Sequence, residues 1–220
     1  MELKFLSYYI NNDTPLYGGK KDININTHAK MANGQSSNSH MIHMPNHTGT
    51  HIDFPYHFSQ EGKKINDYND SFWKFMNVQV IDVNANENQI IDDNLIDDNI
   101  LFIETEFLII KTGFHRFRDS KIYWNNNPGL APELASFFKQ KCPNLRVVGF
   151  DFISLSSYQN RELGRQAHHE FLVEEDILVI EDMDLENIGA RTKIKSIIAL
   201  PLLLDRIDGV PITILAEIYT

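Results

Sequence analysis

The sequence predicts a mixed α/β fold, richer in strand than in helix, and three observations carry that prediction. Six short runs of branched and aromatic residues recur along the chain: 78–83 (VQVIDV), 107–111 (FLIIK), 145–150 (LRVVGF), 177–181 (ILVIE), 195–200 (KSIIAL) and 211–218 (PITILAEI). One segment, 131–141 (APELASFFKQK), combines an early proline with helical spacing of Leu134, Phe137 and Phe138. The strands do not alternate with helices in a strict rhythm, which sets the chain apart from a doubly wound sheet.

Each element has its own local reason. Continuous apolar runs of this length suit central strands covered on both faces. Residues 70–76 are expected as a short helix capped by Asp70 or Ser71. The asparagine-rich stretches at 84–88 and 125–127 are expected as loops. Residues 87–101 carry the acidic pairs Asp92-Asp93 and Asp97-Asp98 between isoleucines, an exposed segment with a solvated acidic face. That segment lacks the alternating acidic pattern and glycine of a calcium loop. No repeat or linker divides the 220 residues, so residues 1–220 are expected to form one domain.

Composition narrows the function. With 42% apolar residues the chain can bury a sizeable core. A net charge of −10 repels phosphate backbones and makes nucleic acid an unfavourable partner. The single cysteine, Cys142, cannot form an intrachain disulfide and is expected as an ordinary thiol in a reducing compartment. The N-terminus has no basic segment followed by a long apolar run, and no stretch is long enough to span a bilayer. The expectation is a soluble cytoplasmic protein without a membrane partner.

Chemistry concentrates in His47-Thr48-Gly49-Thr50-His51-Ile52-Asp53-Phe54-Pro55-Tyr56-His57. Imidazole and carboxylate are the usual ligands of zinc or manganese. Residues two apart on a strand point to one face, so His51 and Asp53 can reach one metal together. Gly49 permits a tight turn that returns His47 beside His51. Pro55 fixes the backbone after the pair and turns His57 toward the same pocket. Of the nine histidines, His40 and His43 read instead as ordinary polar-loop residues. There is no G-x-S-x-G elbow of a serine hydrolase.

The segment HTGTHIDFPYHF resembles the hallmark of the metal-dependent cyclase family, which includes bacterial kynurenine formamidases, and matches every fixed position of H-x-G-T-H-x-D-x-P-x-H. Leu6-Ser7, residues 14–19 (TPLYGG), 111–114 (KTGF), 127–130 (NPGL) and 149–154 (GFDFIS) resemble further family segments in the same order. The resemblance implies a swivelling β/β/α domain. It also implies a site in which His47, His51 and Asp53 bind a first metal, with Asp53 bridging to a second held by His169 and Glu181. His168, next door, is the alternative to His169, and Asp182 and Asp184, expected to face solvent, are nearby competitors of Glu181. A glutamate ending an apolar strand is costly to bury without a cation or partner, which favours Glu181 independently. His57 is the expected general acid/base.

The implied activity is hydrolysis of an amide or lactone by metal-activated water, with zinc or manganese, two ions per subunit, and N-formylkynurenine a candidate substrate. Residues 31–39 and 156–165 are the segments expected to shape substrate choice. Ser154, Ser156 and Ser157 are expected to line or support the pocket. The family resemblance implies a homodimer or homotetramer. The alternative is a non-catalytic, metal-stabilised protein that binds a small molecule on the same fold.

Overall fold

The structure, a computed structural model, describes residues 1–97 and 100–219. Thirteen strands occur among them: β1 (Glu2–Phe5), β2 (Asn24–Ala29), β3 (Ser39–His43), β4 (His51–Asp53), β5 (Lys74–Phe75), β6 (Val78–Asp82), β7 (Ile90–Ile91), β8 (Phe107–Lys111), β9 (Gly129–Leu130), β10 (Val147–Phe150), β11 (Leu178–Glu181), β12 (Ile194–Pro201) and β13 (Gly209–Ile218). Three α-helices join them: α1 (Lys121–Asn125), α2 (Leu134–Lys141) and α3 (Arg161–His169).

All six apolar runs form strands. Nine strands make one sheet in the order β5-β12-β13-β4-β11-β10-β8-β6, with β1 on β13. The strands β6, β8, β10 and β11 run parallel. β10 and β11 are buried along their whole length, and β8 at all but its last residue, as continuous apolar runs require. The other half, β12, β13, β1 and β5, is antiparallel. Its long strand β13 also pairs with β4, which lies antiparallel to β11 on its other edge. β4 is therefore the seam between the halves. The end strands β5 and β6 are two residues apart in sequence, so the sheet curls almost closed. This is the β-rich mixed α/β architecture expected from the sequence.

One helical expectation is redrawn. Residues 70–76 form a 3-10 turn, Asp70–Trp73, followed by β5. Its cap is Asn69, whose side chain accepts from the Phe72 amide at 3.1 Å. The helix α3 and the hairpin β2–β3 have no counterpart in the sequence reading. The hairpin is exposed on most of both faces, so apolar patterning could not reveal it. Residues 84–88 and 126–127 lie in loops, but Asn127 is fully buried, and its amide reaches the Ser154 and Ser156 carbonyls at 3.2 and 2.8 Å. In the acidic stretch, Ile91 and Ile96 pack inward while Asp93 is exposed; Asp98 lies outside the described residues. Cys142 is buried, and burial pushes its thiol up, which keeps it protonated. No helix among the described residues is long and apolar enough to cross a membrane.

Candidate metal centre

The seam strand delivers two donors. His51 and Asp53 lie on one face of β4, both buried. Across the antiparallel pair His51 faces Glu181 at the end of β11, so the glutamate joins the same face. Gly49, at φ 62°, makes the turn that carries His47 back over the strand. Its ring fits because residue 209, opposite Asp53 on β13, is glycine: a Cβ there would stand 2.4 Å from His47 Cε1. Pro55 opens the 3-10 turn Pro55–His57, which places the His57 ring 4.2 Å from that of His47.

The structure thus brings His47, His51, Asp53, His57 and Glu181 together. Asp182, expected to face solvent, is buried instead, because Arg118 and Tyr123 donate to its carboxylate at 2.7 and 2.5 Å. The structure does not bring His169 to the site. That side chain is 47% exposed, with Nδ1 3.6 Å from Glu174. His168 stands in its place, Nε2 3.6 Å from Asp53 and 3.4 Å from Glu181. The cause is helix phase: neighbours on a helix point about 100° apart, so only one of two adjacent histidines can face the site. The inward stripe of this segment is Gly164, Ala167, His168, Phe171 and Leu172, all buried. That i, i+3/i+4 spacing selects His168 once the segment is known to be helical.

Ring orientation is fixed from behind. His51 Nδ1 donates to the Gly49 carbonyl at 2.8 Å, and His168 Nδ1 to the Gly164 carbonyl at 2.8 Å. Both present Nε2 to the same two carboxylates. Backbone anchoring of one ring nitrogen is the usual way a ligand histidine is oriented. Phe58 stacks on His168 at 4.6 Å. The Leu155 amide and Ser154 hydroxyl donate to Glu181 Oε1 at 2.7 and 3.2 Å, and Ser156 Oγ is 3.2 Å from His168 Nδ1, so Ser154 and Ser156 support the site, while Ser157 is not among the residues lining the pocket.

Asp208 is the residue that sequence reasoning missed. It sits just before Gly209, and its Oδ2 is 2.8 Å from His57 Nδ1 and 3.0 Å from His47 Nε2. Asn46 donates to its other oxygen at 2.8 Å. Read along the chain, Asp208-Gly209 is an ordinary turn dipeptide. Only the β4–β13 pairing sets it beside residues about 150 positions away.

Electrostatics show why the cluster suits a cation. Burial opposes charge on His47, yet Asp53 and Asp208 overcome it and raise the imidazole to about 10. Burial is likewise overcome at His168, raised to about 9 by Asp53 and Glu181. Asp53 is held well below the usual carboxylate range despite its burial, chiefly by His47 and His168. At Glu181, burial and the Asp53 charge push upward, and His168 and His51 outweigh them. Hydrogen bonds from His47 and His57 hold Asp208 low. The buried carboxylates of this chain thus draw protons onto the imidazoles, and a divalent cation satisfies the same field without them. Among the described residues, two sets each hold donor atoms within 4.8 Å of one another: His47, Asp53, His57, and His51, Asp53, Glu181. They share Asp53. A nitrogen and oxygen donor set of this kind fits zinc or manganese. The donors line a pocket of about 340 Å³ together with Leu16, Tyr17, Lys20, Phe58 and Ile153. None of residues 31–39 lines it; Ser156, from 156–165, does.

Residues 5–157 match the family described as putative cyclase. A kynurenine formamidase of Bacillus cereus is 31% identical over 211 residues, covering 94% of this chain and 93% of the relative. Among solved structures, a potential metal-dependent hydrolase with cyclase activity superposes with a TM-score of 0.76 at 21% identity, covering 98% of this chain and 96% of the other. Isatin hydrolase A from Labrenzia aggregata gives 0.80 at 19% identity, covering 98% and 93%. The chain belongs to the cyclase family.

Proposed function

We propose that the protein is a metal-dependent hydrolase that cleaves the C–N bond of a small aryl amide, with N-formylkynurenine as the leading substrate candidate. The observation that carries this reading is the pairing of a buried His–Asp–Glu donor cluster with His57 held by Asp208 at the same pocket. The formamidase and isatin hydrolase named above act, by their names, on C–N bonds of this kind, which supports the bond type.

His51, His168, Asp53 and Glu181 are the proposed holders of one divalent ion, and His47 with Asp53 of a second, in place of the His169 assignment. Zinc or manganese would supply Lewis acidity, bringing the pKa of water toward neutrality and polarising the scissile carbonyl. Asp208 occupies His57 Nδ1, which leaves Nε2 to face the pocket. His57 Nε2 takes the proton of the attacking water and returns it to the leaving nitrogen, so amide and water become amine and carboxylic acid. Asp208 orients the ring for both transfers.

The decisive experiment is exhaustive chelation of the purified protein followed by assay on formanilide and N-formylkynurenine. Hydrolysis should disappear and return with zinc or manganese. Turnover that survives removal of metal overturns the proposal.

We also infer that the whole chain works as one unit within a homodimer or homotetramer in the cytoplasm. The lone, buried Cys142 supports a reducing compartment. Exposed Tyr9, Met41, Ile42, Leu200, Leu202 and Leu203 support assembly. Sedimentation analysis should give two or four chains; a monomer at micromolar concentration would refute this.

A further inference from the structure

The metal pocket contains a polar atom that neither the metal reading nor the His57–Asp208 pair uses. Tyr17 lines the pocket, and its buried hydroxyl has the Arg161 guanidinium beside it but no acceptor for its proton among the described residues. A buried, unsatisfied hydroxyl is costly and asks for a partner that arrives from outside. Its ring is held edge-on by Tyr158, centroids 5.3 Å apart. Burial pushes the phenol up to about 12, with the charge and hydrogen bond of Arg161 opposing that rise, so the group stays protonated and available as a donor.

Two cations stand close by. Lys20, three residues along, lines the same pocket. Arg161, in the first turn of α3, lies over the Tyr158 ring at 4.0 Å. Neither forms an ion pair with a carboxylate among the described residues, although acidic residues outnumber basic ones by 30 to 20 in this chain. Basic side chains left without an anion in so acidic a protein, beside a buried unpartnered donor, match the needs of an incoming anion.

We propose that Tyr17, Lys20 and Arg161 form a carboxylate subsite, so that the preferred substrate is an aryl amide carrying a carboxylate away from the scissile bond. This rests on the hydrolase reading and deepens it. It separates the two reactions that the family comparison brings forward: N-formylkynurenine bears an amino-acid carboxylate, whereas isatin is a neutral lactam. Tyr17 donates to a carboxylate oxygen while Lys20 and Arg161 draw and balance its charge.

The test uses the zinc-loaded full chain and two arms. In the first, calorimetry compares binding of 3-benzoylpropionate with that of its neutral carboxamide. The carboxylate should bind more tightly, and Lys20→Gln, Arg161→Gln and Tyr17→Phe should each weaken it, by roughly tenfold for the cations. Lys20 and Arg161 are exposed, and Tyr17→Phe keeps the ring, so thermal unfolding should confirm that all three variants fold. In the second arm, kcat/KM is compared for N-formylkynurenine and formanilide, and the preference for the charged substrate should collapse in the same variants. Equal binding of acid and amide overturns the subsite. So does carboxylate binding that is lost on chelation yet unchanged in the variants, which would put the anion on the metal. Hydrolysis of formanilide without preference for the charged substrate sinks the subsite and leaves the hydrolase standing. Variant-sensitive carboxylate binding without hydrolysis of either amide does the reverse.

Discussion

Asp208 binds two imidazoles with one carboxylate oxygen, and the two rings have different tasks. Toward His47 it supports a proposed ligand; toward His57 it sets which nitrogen faces the pocket. Asp208→Asn should therefore lower turnover by about 10–100-fold, the usual effect of removing a carboxylate behind a working histidine. His57→Ala should cut turnover by roughly 10²–10⁴ while metal content stays near normal. Elemental analysis alongside steady-state kinetics checks both; loss of metal from His57→Ala would make His57 a ligand instead. At this scale the sequence was informative where donors are neighbours. His47, His51, Asp53 and His57 lie within eleven residues, with Gly49 and Pro55 placed to bend the chain. Asp208 was invisible because nothing near it in sequence shares its task.

At the scale of the element, β4 and α3 show two kinds of periodicity. In β4 the alternation of a strand aligns His51 with Asp53, and the register with β11 adds Glu181. That alternation needs no knowledge of the partner strand. In α3 the outcome turns on a rotation of about 100° per residue, so the choice between His168 and His169 is a choice of helical face. The apolar stripe from Gly164 to Leu172 settles the face, but only once the segment is known to be a helix. Arg161-Glu162-Leu163-Gly164-Arg165 is too polar to announce one. His168→Ala should lower bound metal in elemental analysis, and His169→Ala should leave it unchanged. The opposite pattern would restore His169 as the ligand.

For the whole molecule, the buried cluster couples metal, protons and stability. In the metal-free chain His47 sits at about 10 and His168 at about 9, above the ordinary 6.5. A raised folded-state value means that folding takes up protons. The resulting stabilisation is complete below pH 6.5 and drains away as pH climbs through 9 to 10. Chelated protein should therefore lose melting temperature steadily over that window in calorimetric scans. Metal-loaded protein should lose much less, because its imidazoles are already neutral ligands. A flat profile without metal would show that these imidazoles are not protonated in the folded chain.

By itself the sequence determined the strand-rich fold class, the six apolar strands and the donors crowded into residues 47–57. Each rests on local physics: runs long enough to be covered on both faces, and ligand types within reach of one bent strand. Only the tertiary structure decided that β4 is the seam between the parallel and antiparallel halves. It also decided that His168 rather than His169 turns inward, and that Asp208 backs His57. Those facts depend on strand register and helix phase, which are set when distant segments pack against one another.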